Sequence, residues 1–314
     1  ERPDEVFPDA GIHIVADDPI VVYVIVRYYY TSGGFLPIPV SKLGKKYIVS
    51  SYPVDPLFAE NNYYLPGYVG IVAAYDKTTV QFTLGGNYKT QTAGGILPEQ
   101  TVQRTLNKGD VWMISTKGSG SDLTGSQIVS DKPVAVVTGN ECVNIPIGKP
   151  WCDYIVEMAI PTYSWGYNYH IPNTSKLPRR KYAPLLRILA KEKNTTLYRD
   201  GKEFGFLKST NGMEGNGWVE TRMNPEVPYT HYPVVISGDK PISVTLYNPS
   251  AQDDDTTNTN AYNDPFYMTI IPVEQYSKEI LFCSPGLFES RRFEENYIGF
   301  IYQTDSTGNL PDNI

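Results

Sequence analysis

Three segments of this chain repeat the same short phrase, and their spacing constrains the fold more than any other feature. The phrase begins with proline, has a large apolar residue at its fifth position, and ends with glycine or serine. It occurs at Pro39–Gly44, Pro161–Gly166 and Pro272–Ser277, so successive copies are 122 and 111 residues apart. A period of domain size indicates tandem duplication of one folding unit rather than a short-repeat solenoid.

A second phrase recurs in step with the first. Aspartate, a variable residue, proline and a β-branched residue stand at Asp17–Ile20, Asp131–Val134 and Asp239–Ile242. Aspartate accepts hydrogen bonds from nearby backbone N–H groups, and proline fixes the backbone φ angle. We therefore predict that these aspartates shape turns, since a catalytic residue is seldom repeated three times.

The chain is rich in residues that favour short strands and tight turns. Its 314 residues include 26 glycines, 25 prolines and 25 tyrosines, and only 19% are charged. Apolar runs such as Ile20–Tyr30 alternate with turn signals, of which Asp200-Gly201 is the strongest hairpin signal. Tyr182–Lys193 has some helical periodicity, but its position in the second unit favours a strand. The sequence predicts an all-β chain of tandem antiparallel β-sandwich-like units with little or no helix.

The repeats place three related units along the chain. We predict a first unit over residues 1–130, a second over 131–238, and a third over 239–314 that is incomplete and is completed by another segment or another chain. Trp165 occupies the same place in its phrase as Leu43 and Tyr276, so we predict that it lies in the core.

Composition excludes several classes of function. The net charge is −7 and the isoelectric point is about 5.1, which argues against nucleic acid as a partner. No run approaches the roughly eighteen apolar residues that a membrane-spanning helix needs. We therefore expect neither a nucleic-acid-binding protein nor a transmembrane helix.

The three cysteines favour export. Cys142 and Cys152 flank a segment rich in proline and glycine, and a disulfide between them would close a small loop and contribute about 3 kcal/mol. Two reduced, buried thiols are the alternative. Cys283 is left over; it is either buried or paired with a cysteine outside this segment. Asn173 and Asn194 begin sequences that match the N-glycosylation acceptor pattern.

The residues around the first unit boundary resemble a known family. Gly139-Asn140-x-Cys142 and Cys152-Asp153-x-x-Val156-Glu157, with the phrases on either side, resemble the N-terminal domain of the IgGFc-binding protein family. Nearly the whole chain follows that layout, from Ala16 onward. The resemblance implies an extracellular, non-enzymatic, adhesion-type role in mucus-associated or bacterial surface proteins. It does not imply Fc binding, and no ligand-contact residue carries over.

Motifs of common enzymes are absent from the sequence. The chain contains three histidines, none with another histidine or a cysteine at metal-binding spacing, and lacks the Gly-x-Ser-x-Gly, Cys-x-x-Cys and phosphate-loop patterns. Glycoside hydrolysis needs a pair of carboxylates, and Asp17/Asp18, Asp153/Glu157 and Glu294/Glu295 are candidates only because carboxylates are common. We predict that the chain is not an enzyme.

One loop is dense in oxygen ligands. Asp253, Asp255 and Asp264 lie in a polar segment with several asparagines, and calcium takes six to eight oxygen ligands. Asp253, Asp254 and Asp255 are consecutive and do not alternate as in a known calcium loop, so a solvated surface loop is the competing interpretation. We predict no cofactor, and calcium is the one metal that the sequence makes a candidate.

Clustered aromatic residues are the candidate contact residues. Tyrosine and tryptophan combine a large contact area with few rotatable bonds, which suits protein or glycan recognition; burial in the core is the competing interpretation. The candidates are Tyr28, Tyr29, Tyr30, Tyr63, Tyr64 and Trp151.

Together these patterns predict an extracellular or cell-surface module for binding, adhesion or scaffolding in a surface, mucus-like or filamentous assembly. The expected partners are a protein or a glycan, or a second copy that pairs through exposed edge strands. A lectin-like or carbohydrate-active β-sandwich protein is the alternative.

Overall fold

The chain folds as antiparallel β-structure, as the sequence predicts. The computed structural model describes residues 4–57, 65–86, 89–172, 184–210, 215, 217–222, 234–250, 264–280, 282 and 301. Within them the strands are β1 (Glu5–Phe7), β2 (Val24–Arg27), β3 (Ser32–Phe35), β4 (Gly44–Ile48), β5 (Gly67–Ala73), β6 (Thr78–Thr83), β7 (Thr101–Leu106), β8 (Val111–Ser115), β9 (Gln127–Val143), β10 (Asp153–Met158), β11 (Gly166–Ile171), β12 (Leu185–Ala190), β13 (Thr195–Arg199), β14 (Lys202–Leu207), β15 (Trp218–Arg222), β16 (Val234–Asn248) and β17 (Phe266–Ile270).

Two large sheets have the same plan. In the first, the strand order is β1-β8-β5-β9-β6-β7, and β4 and β10 also pair with β9. In the second, the order is β14-β13-β16-β12-β15, and β11 and β17 also pair with β16. A separate hairpin joins β2 to β3.

Each sheet is organised around one long strand. The first part of β9 pairs with β4 and β6, and its later part pairs with β5 and β10. The strand β16 pairs in the same way with β11 and β13, and then with β12 and β17. Both predicted unit boundaries fall inside these two strands, so neighbouring units share a strand. The division at residues 130 and 238 stays a prediction.

The first repeated phrase has one conformation wherever it occurs. Each copy forms a short 3-10 helix after its proline, at Val40–Lys42, Thr162–Ser164 and Val273–Gln275. After the first two copies, a tyrosine in the next strand fixes the phrase to the long strand. The Tyr47 hydroxyl accepts from the Gly44 N–H and donates to the Val134 carbonyl at 2.7 Å.

The second unit repeats this arrangement. The Tyr169 hydroxyl accepts from the Gly166 N–H and donates to the Ile242 carbonyl at 2.5 Å. Val134 and Ile242 are the residues that follow proline in the second phrase. The two phrases therefore meet in space in both units, which explains why they recur together.

Two of the repeated aspartates hold turns. Asp131 accepts from the Thr79 N–H, and Asp239 accepts from the Thr196 N–H, both at 2.8 Å. The adjacent lysines act alike, because the Lys132 ammonium donates to the Asp76 and Lys77 carbonyls, and Lys240 does so to the Lys193 carbonyl.

The core continues from one sheet into the next. One apolar cluster fills the first sheet and another fills the second. A third cluster, which includes Tyr52, Ile155, Leu185 and Tyr247, takes side chains from both. Trp165 is buried with Leu189 and Trp218 in a fourth cluster, in agreement with its predicted core position. The two large sheets therefore pack as neighbours with a shared interior.

Candidate interaction surface

Three consecutive tyrosines form the tip of the β2–β3 hairpin. The Tyr28 N–H donates to the Thr31 carbonyl at 2.8 Å and closes the turn. Tyr28 is 57% exposed, and Tyr29 and Tyr30 are each 90% exposed. The Tyr29 and Tyr30 rings meet edge to face, with centroids 4.6 Å apart. Rings exposed to this degree lie outside the core, and their role in binding a partner stays a prediction.

Half-buried and buried tyrosines support the hairpin tip from below. The Tyr28 ring lies 5.5 Å from the ring of Tyr154 on β10. The Tyr154 hydroxyl shares a hydrogen bond with the Tyr68 hydroxyl of β5. The backbone is tied to the same strand, because the Ser32 N–H donates to the Asp153 carboxylate at 2.9 Å. We call the exposed residues Tyr28, Tyr29 and Tyr30 the tyrosine surface, and Tyr154 is its buried support.

The disulfide loop precedes β10 and carries the exposed tryptophan. Cys142 and Cys152 are joined, and Trp151 beside the bond is 64% exposed. The start of the loop is anchored from inside, since the Asn144 side-chain amide donates to Asp55 at 2.7 Å. The predicted disulfide is therefore present, and the loop that it closes exposes Trp151 just before β10.

The other predicted site residues are more scattered. Asp264 is exposed, and the described residues contain no group of three potential metal ligands. Asn194 is exposed in the turn between β12 and β13. The calcium site and glycosylation at Asn194 stay predictions. Outside the described residues lie Tyr63, Tyr64, Asn173, Asp253, Asp255 and Cys283.

The cavities between the strands are small or open. One cavity of about 20 Å³ lies between β10, β16 and β17, and Glu157 is the only acid among its described lining residues. That volume fits about one water molecule. A groove of about 220 Å³ lies beside β4 and is lined by residues of mixed charge, among them Lys46, Lys191 and Glu192.

Comparison with known proteins identifies the family. The family model described as IgGFc binding protein matches residues 33–313. This chain belongs to the IgGFc-binding protein family. The human protein named IgGFc-binding protein is 26% identical over 238 residues, which cover 76% of this chain and 4% of the human protein. No solved structure matches the chain.

Family membership confirms the resemblance drawn from the residues around Cys142 and Cys152. The chain spans only 4% of the length of this human relative. In the described part of this IgGFc-binding family chain, no helix is long and apolar enough to cross a bilayer.

Two carboxylates on β10 of this IgGFc-binding family chain have perturbed pKa values. Burial raises the pKa of Asp153 to about 6, although it accepts from the Tyr154 and Ser32 N–H groups. Burial raises the pKa of Glu157 to about 7, although it accepts from the Met158 N–H and the Thr269 N–H. Among the described residues, Glu157 is the only acid that lines this cavity. The described lining of the cavity therefore does not offer the pair of carboxylates that glycoside hydrolysis needs.

Sequence reasoning missed the most strongly connected polar side chain. Arg187 on β12 donates to the Asp122 carboxylate at 2.8 Å, the Ser51 carbonyl at 2.6 Å and the Thr124 hydroxyl at 2.7 Å. Its Nε donates to Glu220 on β15 at 2.9 Å. Asp122, Ser51 and Thr124 lie in the segments that connect strands of the first sheet, whereas Glu220 lies in the second sheet, so Arg187 joins these two parts of the chain. A single arginine in the apolar run Leu185–Ala190 was the available signal.

The protonation of Glu157 makes stability depend on pH. Between pH 4.5 and pH 7 the folded protein keeps a proton that the unfolded chain has lost, so stability falls as pH rises. We expect Glu157→Gln to raise the free energy of unfolding at pH 8 by about 1–2 kcal/mol and to leave it almost unchanged at pH 4. Urea unfolding at pH 4, 6 and 8 measures this.

The control for this substitution is Glu203→Gln, which changes an exposed glutamate on β14. We expect Glu203→Gln to leave the pH dependence of stability as it is in the wild type. An unchanged pH dependence in Glu157→Gln would contradict the assignment of that dependence to Glu157.

Proposed function

We propose that this chain is a non-enzymatic, extracellular binding and scaffold module of a surface, mucus-like or filamentous assembly. The observation that carries the proposal is the tyrosine surface, an exposed aromatic cluster held on a supported hairpin. Family membership supports a binding role, since the name of the human relative describes a binding protein.

The way the hairpin is held favours recognition. Exposed tyrosines contribute most to binding when they are held in position before the partner arrives, because less conformational entropy is then lost. The ring of Tyr154 under Tyr28 and the bond from Ser32 to Asp153 both restrict the hairpin. Trp151 adds a second exposed aromatic residue on a loop closed by a disulfide.

The disulfide supports an extracellular location. Disulfides persist in oxidising compartments and are rare in the cytosol. The bond between Cys142 and Cys152 closes a loop whose start is buried between the units. Export agrees with the location implied by the family resemblance.

A lectin-like role is the second candidate, and the exposure of Tyr29 and Tyr30 favours it. Both rings leave a large apolar face open to solvent. Such a face can stack on the apolar side of a sugar ring as well as on a protein.

Binding measurements distinguish the candidates. The immobilised chain is tested against the IgG Fc fragment, the IgG Fab fragment, and a mucin-type glycoprotein before and after enzymatic removal of its glycans. Fc is included because it is the partner in the name of the human relative. Binding to glycoprotein that disappears with the glycans supports the lectin-like role, and binding that survives supports protein recognition.

Substitution of the hairpin tip tests the surface. We expect Tyr29→Ser/Tyr30→Ser to weaken binding at least tenfold for whichever analyte binds, because aromatic residues dominate contact energies. The matched control is Tyr75→Ser, which removes a 46% exposed tyrosine elsewhere in the first unit. If the double variant and the wild type bind with equal affinity, the tyrosine surface does not contact the partner. Turnover of a glycan would contradict the non-enzymatic proposal.

A further inference from the structure

The groove beside β4 is bounded by residues of both large sheets and of the segments that connect them. It has a volume of about 220 Å³. Lys46 comes from β4 and Val129 from β9, Thr162 begins the short helix of a repeated phrase, and Lys191 lies in the turn after β12. Ligand sites occur preferentially where two packed parts of a protein meet. The groove is therefore a candidate binding site, and the charges of its walls decide what it can bind.

Two lysines give the groove a net positive charge. Its described lining contains Lys46, Lys191 and one acid, Glu192, so two positive charges face one negative charge. Within the described part of the chain, neither lysine ammonium group takes part in a hydrogen bond or an ion pair. The chain as a whole has a net charge of −7, so this local excess is opposite in sign to the average. A cleft with positive walls concentrates anionic ligands.

The second unit shows which group occupies the corresponding place there. Lys46 follows the first copy of the first phrase by two residues, as Asn168 follows the second copy. Both stand at the same register against a long strand, opposite Val129 of β9 and Ser237 of β16. The Asn168 side-chain amide donates to the Glu274 carboxylate at 3.1 Å. In the second unit, a carboxylate therefore lies beside this position.

The first unit receives a different side chain at this place. Glu274 is the third residue of the third copy of the phrase, and the third residue of the second copy is Tyr163. The Tyr163 hydroxyl donates to the Lys42 carbonyl at 2.5 Å. The neutral amide with an internal acid is thus replaced by a cation, Lys46, that has no acid partner among the described residues. The carboxylate at this place is left to a ligand.

The other lining residues suit a sugar. Gln127 and Thr162 offer an amide and a hydroxyl group, which can bond to sugar hydroxyls. Val129 is 39% exposed and forms an apolar wall against which the C–H face of a sugar ring can pack. The Gln127 amide donates to the Thr210 carbonyl at 3.1 Å, which joins two walls of the groove before a ligand arrives. The volume lies below that of sites for drug-sized ligands, so it limits the occupant to about one sugar ring.

We propose that this groove binds a carboxylated sugar at the end of a glycan chain. The Lys46 and Lys191 ammonium groups bind the carboxylate, and Gln127 and Thr162 bind the sugar hydroxyls. A hydrogen bond between charged groups is about twice as strong as one between neutral groups, so the carboxylate supplies most of the selectivity. The proposal goes beyond the proposed function, because the tyrosine surface does not line the groove and the two sites can fail separately.

Isothermal titration calorimetry with three probes tests the class of ligand. We expect the chain to bind 3′-sialyllactose, which ends in a carboxylated sugar, at least tenfold more tightly than lactose or acetate. Lactose lacks the carboxylate, and acetate lacks the sugar. Equal affinity for lactose overturns the role of the lysines, and equal affinity for acetate overturns the assignment of a sugar. Tighter binding of a glutamate-rich peptide than of 3′-sialyllactose overturns the proposal in favour of an acidic protein segment.

Removal of both lysine charges tests the residues. Lys46→Gln/Lys191→Gln should weaken binding of 3′-sialyllactose at least tenfold, because the carboxylate then loses both cations. The matched control is Lys108→Gln/Lys202→Gln, which changes two exposed lysines outside the described lining and should bind like the wild type. Far-UV circular dichroism confirms that the variants fold. A lysine variant that binds as tightly as the wild type overturns the proposal.

An acid supplied by the chain itself provides an independent test. Tyr163→Glu gives the second copy of the phrase the acid that Glu274 supplies in the third. We expect it to compete with the ligand for Lys46 and to weaken binding at least tenfold, whereas the uncharged Tyr163→Gln should bind like the wild type. Equal affinities of these two variants contradict the correspondence between the units. Tyr29→Ser/Tyr30→Ser should also bind 3′-sialyllactose like the wild type, and a tenfold loss in that variant would assign the sugar to the tyrosine surface instead of the groove.

Discussion

Replacing Arg187 with alanine is expected to lower the free energy of unfolding by about 3–5 kcal/mol. The Arg187 and Asp122 side chains are both about 3% exposed, so the substitution leaves a carboxylate buried without its cation. Burial alone lowers the pKa of the Arg187 guanidinium, but the carboxylates of Asp122 and Glu220 more than offset this and raise it. The arginine therefore stays charged and pairs with both acids.

Aromatic rings add to the cost of this substitution. The Arg187 guanidinium lies 4.6 Å from the ring centroids of Tyr52 and Trp218, and 5.4 Å from that of Tyr247. Such cation–π contacts contribute most when water is excluded. Tyr52 belongs to the first unit, and Trp218 and Tyr247 belong to the predicted second and third units. Loss of Arg187 therefore opens a cavity where these units meet.

Urea unfolding followed by tryptophan fluorescence measures the effect. Arg199→Ala is the control, because Arg199 is also an arginine on a strand of the second sheet but is only half-buried and bonds to Thr221 and Arg222 nearby. We expect the control to cost about 1 kcal/mol. A cost below about 1 kcal/mol for Arg187→Ala would contradict the role assigned to this residue.

A double-mutant cycle separates the ion pair from the lost packing. Asp122→Asn keeps an oxygen that accepts from the Thr124 N–H and removes the negative charge. Each single change leaves the other member of the pair buried with an unpaired charge, whereas Arg187→Met/Asp122→Asn removes both charges. We therefore expect the double variant to be more stable than the sum of the single changes implies, by about 1–3 kcal/mol.

The fold class and the repeated phrases were accessible from sequence because both depend on local pattern. Proline before the 3-10 helix acts on residues close by in the chain, and the repeated aspartates were visible because their phrase recurs, although their partners Thr79 and Thr196 lie 52 and 43 residues away. The partners of Arg187 were not accessible, because Asp122 is 65 residues away and Ser51 is 136 residues away. Nothing local indicates which of many carboxylates would meet the one arginine in an apolar strand.

The segment Ile20–Tyr30 shows where local pattern falls short. Its β-branched and aromatic residues predicted one long strand, yet β2 covers only Val24–Arg27, and the tyrosines form the turn. A strand depends on its cross-strand neighbours more than on its own residues. The long strands β9 and β16 are instead paired on both edges by described neighbours.

The candidate surface was predicted in part. Tyr28, Tyr29 and Tyr30 are exposed because they form the tip of a hairpin. The position of this tip could not be derived from the composition of the segment. Tyr154 was missed, since it lies in an apolar run and its contact with Tyr28 spans more than a hundred residues. Three consecutive tyrosines in a sequence indicate a contact surface only once the structure shows which residues hold them in place, as Tyr154 does for Tyr28.

Removal of the disulfide is expected to lower the free energy of unfolding by about 3 kcal/mol. The bond closes a loop between cysteines ten residues apart, and its loss restores the freedom of that loop in the unfolded chain. The loop is also anchored in the folded state, because the Ile145 N–H donates to the Ser250 hydroxyl and Asn144 donates to Asp55. These contacts survive the substitution Cys142→Ala/Cys152→Ala, so we expect a folded but less stable protein.

Reduction provides the matched test of this prediction. Dithiothreitol should destabilise the wild type by about the same 3 kcal/mol and should leave the Cys142→Ala/Cys152→Ala variant unchanged. Cys283→Ser keeps the disulfide and should behave like the wild type in both states. If dithiothreitol destabilised the Cys142→Ala/Cys152→Ala variant as much as the wild type, the effect would not come from this disulfide. The closed loop before β10 would then contribute little to stability. The expected result instead ties the stability of this IgGFc-binding family chain to an oxidising environment, where the loop that carries Trp151 stays closed.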